Sequence, residues 1–304
     1  MQQEPEIHYY KSISQLMQEL RLPAPLHPLI ALVDYNLVPV EMLEKGQKTS
    51  LDFYKISFKP AFKGQTKYGP GYYDFEEGGL AFLKPGQIVF SPEDVESYQG
   101  YALYFHPDFI RNYPLGKTVN QYGFFSYNVS EALFLSEKEK EIISGLFASI
   151  ATELDNNIDQ FSQDVLISHL ELLLNYSNRF YNRQFLTRKA INNDIIDRLD
   201  QILENYFDNG NGLKDGVPSV QSISTQLQLS QRYLSDLLRS LTGLNTQQYI
   251  QRAMIERAKE KLSATAMSVG EIAYELGFEH PQSFSKLFKA KTQLSPLKYR
   301  QSFN

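Results

Sequence analysis

Several features that would indicate an enzyme or an exported protein are missing from this chain of 304 residues. It contains no cysteine, which excludes disulfides, thiolate catalysis and cysteine-ligated zinc. The first residues, MQQEPEIHYYKS, lack the apolar stretch of a secretory signal. No apolar run approaches the roughly 20 residues that span a bilayer. We therefore expect a cytoplasmic protein without a membrane segment, which is compatible with a reducing compartment.

Positive charge is scarce over most of the chain and is concentrated near its end. The net charge is −5, but the residues from Pro218 onward include eleven basic and six acidic side chains. This segment therefore carries +5, and the remainder carries −10. An acidic body with a basic end is typical of a nucleic-acid-binding module on a carrier domain, although an ordinary charged surface gives the same balance.

The sequence pattern changes from strand-like to helical along the chain. Residues 50–105 are rich in β-branched and aromatic residues between glycine and proline turns, which favours a sandwich or barrel. Ser136 and Glu139 form a capping box, and apolar residues recur at helical spacing from Phe161 to Phe180. Glycines at 209–217 indicate a linker. We predict an α+β chain with four parts: 1–135, 136–208, 209–217 and 218–304.

The last part contains an internal repeat. SVQSISTQLQLS at Ser219 matches SVGEIAYELGFE at Ser268, and after a one-residue insertion the match continues as far as Tyr299. Thirteen positions correspond, at offsets of 49 and then 50, and most are apolar or small in both copies. We expect Gly277 in a tight turn with φ > 0. The repeat predicts two helix-turn-helix units separated by a connecting helix, rather than a bundle with accidental similarity.

The two copies resemble the AraC/XylS family of transcription regulators. The more specific motif is SVGEIAYELGFEHPQSFSKLFKAKTQLSPLKYR, and the other is LSQRYLSDLLRSLTGLNTQQYIQRAMIERAKEKL. The resemblance covers about a third of the chain and implies a DNA-binding domain with two helix-turn-helix units. The front two thirds match more loosely. There the resemblance implies a cupin-like β-barrel sensor domain with a helical dimerisation segment.

The resemblance also implies which side chains meet DNA. Recognition helices would run from about Gln231 to Ser240 and from about Pro281 to Ala290. The implied base contacts are Arg232, Ser235, Asp236, His280, Pro281, Gln282, Ser285 and Lys286. The implied phosphate contacts are Arg239, Lys289, Lys291 and Arg300. Family members often carry a basic or amide residue where this chain has Asp236, which either accepts from cytosine or reduces contact. For all of these residues, a solvated helix face is the alternative.

The front part is where we expect a small-molecule effector and a second subunit to bind. A barrel can enclose a small-molecule effector, and aromatic residues would line its site or simply fill the core. The candidates are Tyr54, Phe58, Tyr68, Tyr72, Tyr73, Phe75, Phe82 and Phe90. The helix at 161–180 has a broad apolar face that either packs on the barrel or joins a second subunit, and the resemblance favours a homodimer. RNA polymerase would be a partner if the protein is an activator.

Rival classes lack the residues that they require. A cupin-type metal-dependent enzyme needs a His-x-His pair, but the five histidines are dispersed: His8, His27, His106, His169 and His280. We expect His106 to be a strand-end or helix N-terminal residue. A methyl-transfer DNA-repair protein with a similar tail needs nucleophilic cysteines. We therefore predict a sequence-specific DNA-binding transcription regulator without catalysis, metal or cofactor. Unlike a scaffold protein with no DNA role, it should bind DNA less tightly as salt rises.

Overall fold

The structure, a computed structural model, describes residues 7–42, 47–60, 65–68, 71–74, 78–90, 100–156 and 159–303. The chain divides into two compact units, Met1–Gln184 and Phe185–Asn304. The first contains strands and helices and the second is helical, which confirms the predicted α+β class. The four-part division stays a prediction. None of the described helices has the length and apolar content needed to cross a membrane.

Strand-forming residues of the first unit give short strands in the region where the sequence predicts them. Most of the described strands lie between Lys48 and Phe105. In chain order the strands are β1 (Ile7–Tyr10), β2 (Ile30–Asp34), β3 (Lys48–Leu51), β4 (Tyr54–Lys59), β5 (Gln65–Tyr68), β6 (Gly71–Asp74), β7 (Gly79–Leu83), β8 (Ile88–Phe90), β9 (Tyr101–Phe105) and β10 (Leu133–Phe134).

Two helices of the first unit begin at residues that the sequence identifies, Ser136 and His106. The helices of this unit are α1 (Ile13–Glu19), α2 (Pro107–Ile110), α3 (Pro114–Thr118), α4 (Glu137–Asp155) and α5 (Ser162–Thr187), the last of which ends in the second unit. The N–H of Ser136 donates to Oε2 of Glu139 at 2.8 Å, so the capping box of α4 is confirmed. His106 caps α2, because its Nδ1 accepts from the N–H of Asp108 at 3.2 Å. Its predicted place at a helix N-terminus is confirmed.

The strands form three separate sheets in the described part of the chain. An antiparallel sheet has the order β10-β7-β4-β9-β2, β1 pairs in parallel with β3, which pairs with β8, and β5 pairs with β6. No closed barrel is present among these described strands, so the predicted barrel is wrong there. Among the described strands, β2 and β10 are the outer strands of the five-stranded sheet. Phe147 of α4 packs on Phe58 of β4, with ring centroids 5.3 Å apart. Helix α4 therefore packs on one face of this sheet.

The predicted effector residues divide into two groups. Tyr54, Phe58 and Phe82 are buried in the core of the first unit. Their rings contact other aromatic rings: Tyr54 stacks on Phe105 at 4.8 Å, Phe58 packs on Phe147, and Phe82 lies 4.3 Å from Phe124. The side chains of Tyr68, Tyr72, Tyr73 and Phe90, and the whole of Phe75, lie outside the described part. An effector-binding role for this set stays a prediction.

The second unit is built from helices that follow the predicted order. They are α6 (Lys189–Asp208), α7 (Gly212–Asp215), α8 (Val220–Leu227), α9 (Gln231–Thr242), α10 (Thr246–Ala264), α11 (Val269–Glu275), α12 (Pro281–Thr292) and α13 (Pro296–Gln301). The predicted connecting helix is α10, and it buries one stripe of residues: Tyr249, Ile250, Met254, Ala258 and Leu262. The two predicted recognition helices correspond to α9 and α12, and each extends to the threonine beyond its predicted end.

Candidate nucleic-acid interface

Two helix pairs, α8–α9 and α11–α12, share the same turn. The N–H of Leu229 donates to the carbonyl of Ser224 at 2.9 Å, and the N–H of Phe278 donates to that of Ala273 at 2.9 Å. Between the helices of each pair lies a residue with positive φ, Gln228 at 59° and Gly277 at 90°. The prediction for Gly277 is confirmed. The offset of 49 found in the sequence is therefore also present in the hydrogen bonds of the turns.

The second helix of each pair also ends in the same way. Thr242 Oγ1 donates to the carbonyl of Leu238 at 2.7 Å, and Thr292 Oγ1 donates to that of Phe288 at 2.8 Å. A left-handed residue follows each threonine, Gly243 in one copy and Gln293 in the other. These positions differ by 50, so the one-residue insertion lies between the turn and the second helix.

Core residues fix which face of α9 and α12 remains open. Leu234 and Leu238 of α9 are fully buried, as are their counterparts Phe284 and Phe288 of α12. Helical residues at i, i+4 and i+7 share one face. Away from the buried residues, one stripe on α9 contains the exposed Arg232 and Arg239 and the half-buried Asp236. The corresponding stripe on α12 contains the exposed Gln282, Lys286 and Lys289. Ser235 and Ser285 are half-buried beside these stripes.

The remaining predicted contacts have different surroundings. His280 is the exposed N-cap of α12, although its side chain makes no capping hydrogen bond, and Pro281 is the first residue of the helix. Lys291 is exposed near the C-terminus of α12. Arg300 of α13 is half-buried, and its guanidinium donates to the carbonyls of Leu262 at 3.1 Å and Met267 at 2.6 Å. These hydrogen bonds give Arg300 a structural role, and its phosphate contact stays a prediction.

Asp236 lies between two arginines on the α9 face. Its Oδ2 accepts from Nε of Arg232 at 2.9 Å, and its Oδ1 accepts from a terminal guanidinium nitrogen of Arg239 at 3.2 Å. Sequence reasoning assigned these residues separate roles and missed their mutual ion pairs. The Arg-Asp-Arg spacing at i, i+4 and i+7 was the available signal, because such residues are neighbours on a helix.

Helix α6 packs on α8 and α10 within the second unit. Tyr249 Oη donates to Oδ1 of Asp200 at 2.9 Å, and the guanidinium of Arg257 pairs with the carboxylate of Asp208. Both pairs have a sequence offset of 49, so α6 and α10 run in parallel over about two turns. The pattern of charges in the sequence did not reveal these two contacts, because the two residues of each pair are distant in sequence.

Tyr249→Phe should cost about 1 kcal/mol of unfolding free energy at neutral pH, because a partly buried hydrogen bond is lost. Burial and the bond to Asp200 raise the pKa of Tyr249 to about 12. A raised pKa contributes stability that is present below pH 10 and is lost as the pH approaches 12. The free energies of unfolding of the wild-type and Tyr249→Phe chains should be measured by chemical unfolding at neutral pH and between pH 10 and 12. The difference between the two should shrink as the pH rises. The exposed Tyr274→Phe is the control, and a constant difference for Tyr249→Phe would contradict this account.

The segment at 209–217 approaches the α11–α12 turn closely. A Cβ on Gly212 would lie 2.1 Å from the carbonyl oxygen of Glu275, and one on Gly277 would lie 2.1 Å from that of Gly216. Tyr206 Oη also donates to the Gly216 carbonyl at 2.7 Å. These glycines therefore allow backbone contact, which supports the position of α12.

Comparison with known proteins adds evidence from sequence. Residues 223–302 match a family model described as a helix-turn-helix domain. The chain is 37% identical over 82 residues to the uncharacterised HTH-type transcriptional regulator YisR of Bacillus subtilis, covering 27% of this chain and 29% of that protein. It is 32% identical over 145 residues to the HTH-type transcriptional activator RhaS of Klebsiella pneumoniae, covering 46% of each chain. The chain thus spans less than half the length of these relatives.

One solved structure is also similar to part of the chain. The C-terminal domain of AraT, a response regulator from Geobacillus stearothermophilus, shares 27% sequence identity with this chain. The alignment covers 36% of this chain and 84% of that domain, with a TM-score of 0.32.

Proposed function

Because the chain carries a C-terminal helix-turn-helix domain of the AraC/XylS type, we propose that it is a sequence-specific DNA-binding transcription regulator. The observation that carries this proposal is the pair of exposed stripes on α9 and α12, which occupy equivalent positions in two equivalent helix pairs. In a helix-turn-helix unit the second helix lies in the major groove. The proposal assigns both helices to DNA, with α10 as the connection between the two units.

The residues on the two stripes suit this role chemically. Arginine and lysine recognise guanine, and glutamine can form two hydrogen bonds to adenine, which fits Arg232, Lys286 and Gln282. Arg239, Lys289 and Lys291 provide charge for phosphates, and such contacts set the position of the protein without specifying sequence. Ser235, Ser285 and the α12 start at His280 and Pro281 complete the proposed base-contacting set.

For the first unit we propose a regulatory role. Phe161, which immediately precedes α5, and Val165 and Leu172 of α5 are exposed apolar residues. Their spacing places them on one helical face, which supports the proposed homodimer. A dimer would place two DNA-binding domains on one site and increase affinity through effective concentration. A small-molecule effector remains part of the proposal, as does RNA polymerase if the protein is an activator, like its relative named as one.

Enrichment of duplexes from a random pool by the full chain tests this function. The enriched duplex should bind about 10³-fold or more tightly than a shuffled duplex of the same composition at physiological salt. Affinity for both should fall as salt rises, because bound counterions are released. Equal affinity for enriched and shuffled duplexes would contradict sequence-specific binding. No binding at low salt would favour an interaction protein without a DNA role.

A further inference from the structure

The stripes on α9 and α12 correspond residue by residue, but they differ in charge. Each stripe has three residues, and the residues of the two stripes correspond at an offset of 50. The first and third residues of each stripe are polar or basic. The middle residue is acidic on α9 and basic on α12. The pairs are Arg232 with Gln282, Asp236 with Lys286, and Arg239 with Lys289. The two helices therefore present equivalent surfaces to the proposed DNA with different electrostatics.

Asp236 is the most buried of the three ion-paired residues on α9. Its side chain is 19% exposed, whereas Arg232 is 45% exposed and Arg239 is 55% exposed. The two oxygens of one carboxylate accept from both guanidinium groups, one turn before and one turn after it along the helix. The carboxylate thus restrains two long side chains and offsets part of their positive charge.

The α12 stripe has no comparable restraint. Helix α12 contains three lysines and no acidic residue. No ion pair within the described part of the chain involves Lys286 or Lys289. Both lysines are exposed, and among the residues that the structure describes no neighbouring carboxylate offsets their attraction for DNA. The electrostatic attraction of α12 for DNA should therefore exceed that of α9.

We propose, on the basis of the DNA-binding function above, that Asp236 is a positioning residue for recognition. It orders Arg232 and Arg239 along α9 and lowers the attraction of this helix for phosphate. Helix α12 then supplies more of the sequence-independent affinity, whereas α9 contributes mainly to discrimination between sequences. Asp236 acts through the two arginines and does not itself contact a base.

Asp236→Asn tests this assignment because it removes the charge and keeps the size. Affinity of the full chain for a random-sequence duplex should rise roughly threefold to tenfold at low salt. The slope of log affinity against log salt should steepen by about one, because a released arginine can neutralise another phosphate. The affinity ratio between enriched and random duplexes should fall, since the added affinity is sequence-independent.

Glu256→Gln is the matched control, because it removes the same charge from α10, where Glu256 pairs with Lys259. It should leave the salt slope close to that of the wild-type chain. An equal rise in random-duplex affinity for both variants would reduce the effect to net charge and overturn the proposal. If Asp236→Asn changes preference at one base pair and leaves random-duplex affinity unchanged, Asp236 is a base contact and the proposal is wrong.

A double variant, Arg232→Gln with Arg239→Gln, tests whether Asp236 acts through the two arginines. If it does, adding Asp236→Asn to this double variant should no longer steepen the salt slope. A drop in melting temperature with weaker binding to both duplexes, or an unchanged Asp236→Asn effect in the double variant, would overturn the proposal. Failure of the wild-type chain to prefer its enriched duplex would instead contradict the DNA-binding function itself, so the two failures are distinguishable.

Discussion

Gly277→Ala is expected to lower the free energy of unfolding by roughly 3–5 kcal/mol. The φ of Gly277 is 90°, a conformation that residues with a Cβ rarely adopt. The added methyl group would also lie 2.1 Å from the Gly216 carbonyl oxygen and 2.6 Å from the Val217 nitrogen. Both neighbours are backbone atoms, so no side-chain rotation can relieve the overlap. Because this turn precedes α12, DNA affinity should fall as well.

Two other glycines in the same domain provide controls. Gly243 has a φ of 76° but no atom within 4 Å of an added Cβ, so Gly243→Ala should cost about 1–2 kcal/mol from backbone strain alone. Gly270 lies in α11, and an added Cβ would have only ordinary contact with Ser268 Oγ at 3.8 Å. Gly270→Ala should be neutral or stabilise by up to about 1 kcal/mol.

Urea unfolding of the full chain, followed by circular dichroism, should show the largest loss of stability for Gly277→Ala, a smaller loss for Gly243→Ala and none for Gly270→Ala. Equal stability of the Gly277 and Gly243 variants would contradict the close-contact account.

Gln282→Ala and Lys286→Ala are each expected to relax sequence preference by about 1–3 kcal/mol at one base position. Each removes hydrogen bonds to a base edge, and competing sequences lose no equivalent contact. The measurement is the affinity of the full chain for the enriched duplex and for single-base variants of it. Discrimination should decline at one position per variant. Affinity for random duplex should change little for the neutral Gln282→Ala and should fall modestly for Lys286→Ala, which also removes a positive charge.

Lys289→Ala is the matched control on the same face of α12. It should weaken binding to enriched and random duplexes alike and reduce the salt slope by about one, because a phosphate contact carries no sequence information. If Gln282→Ala weakens all sequences equally, its assignment as a base contact is wrong. If Lys289→Ala alters sequence preference, its phosphate assignment is wrong.

Local sequence signals predicted much of the second unit because the relevant interactions are local. Ser268 and Glu271 form a further capping box that we did not predict, although it is equally local, with the Ser268 N–H donating to the carboxylate at 2.6 Å. These hydrogen bonds hold the pKa of Glu271 below its usual value. The buried positions of α9 and α12 follow from helical periodicity. The internal repeat then identified which exposed faces correspond.

Non-local contacts explain what the sequence did not predict. Strand pairing in the first unit joins distant residues, and a pattern of short strands does not distinguish a closed barrel from separate sheets. Glycines at 209–217 indicated a linker, but Gly212 and Gly216 allow close backbone packing against the α11–α12 turn. The partners of Asp200 and Asp208 lie 49 residues away, beyond the range of any helical spacing.

Chemical protection of major-groove bases on the enriched duplex tests the central claim that α9 and α12 both read DNA. The wild-type chain should protect two separate segments for each bound domain. Gln282→Ala should change protection in one segment, and Arg232→Ala should change it in the other. A single protected segment, or loss in the same segment for both variants, would contradict recognition by two helices.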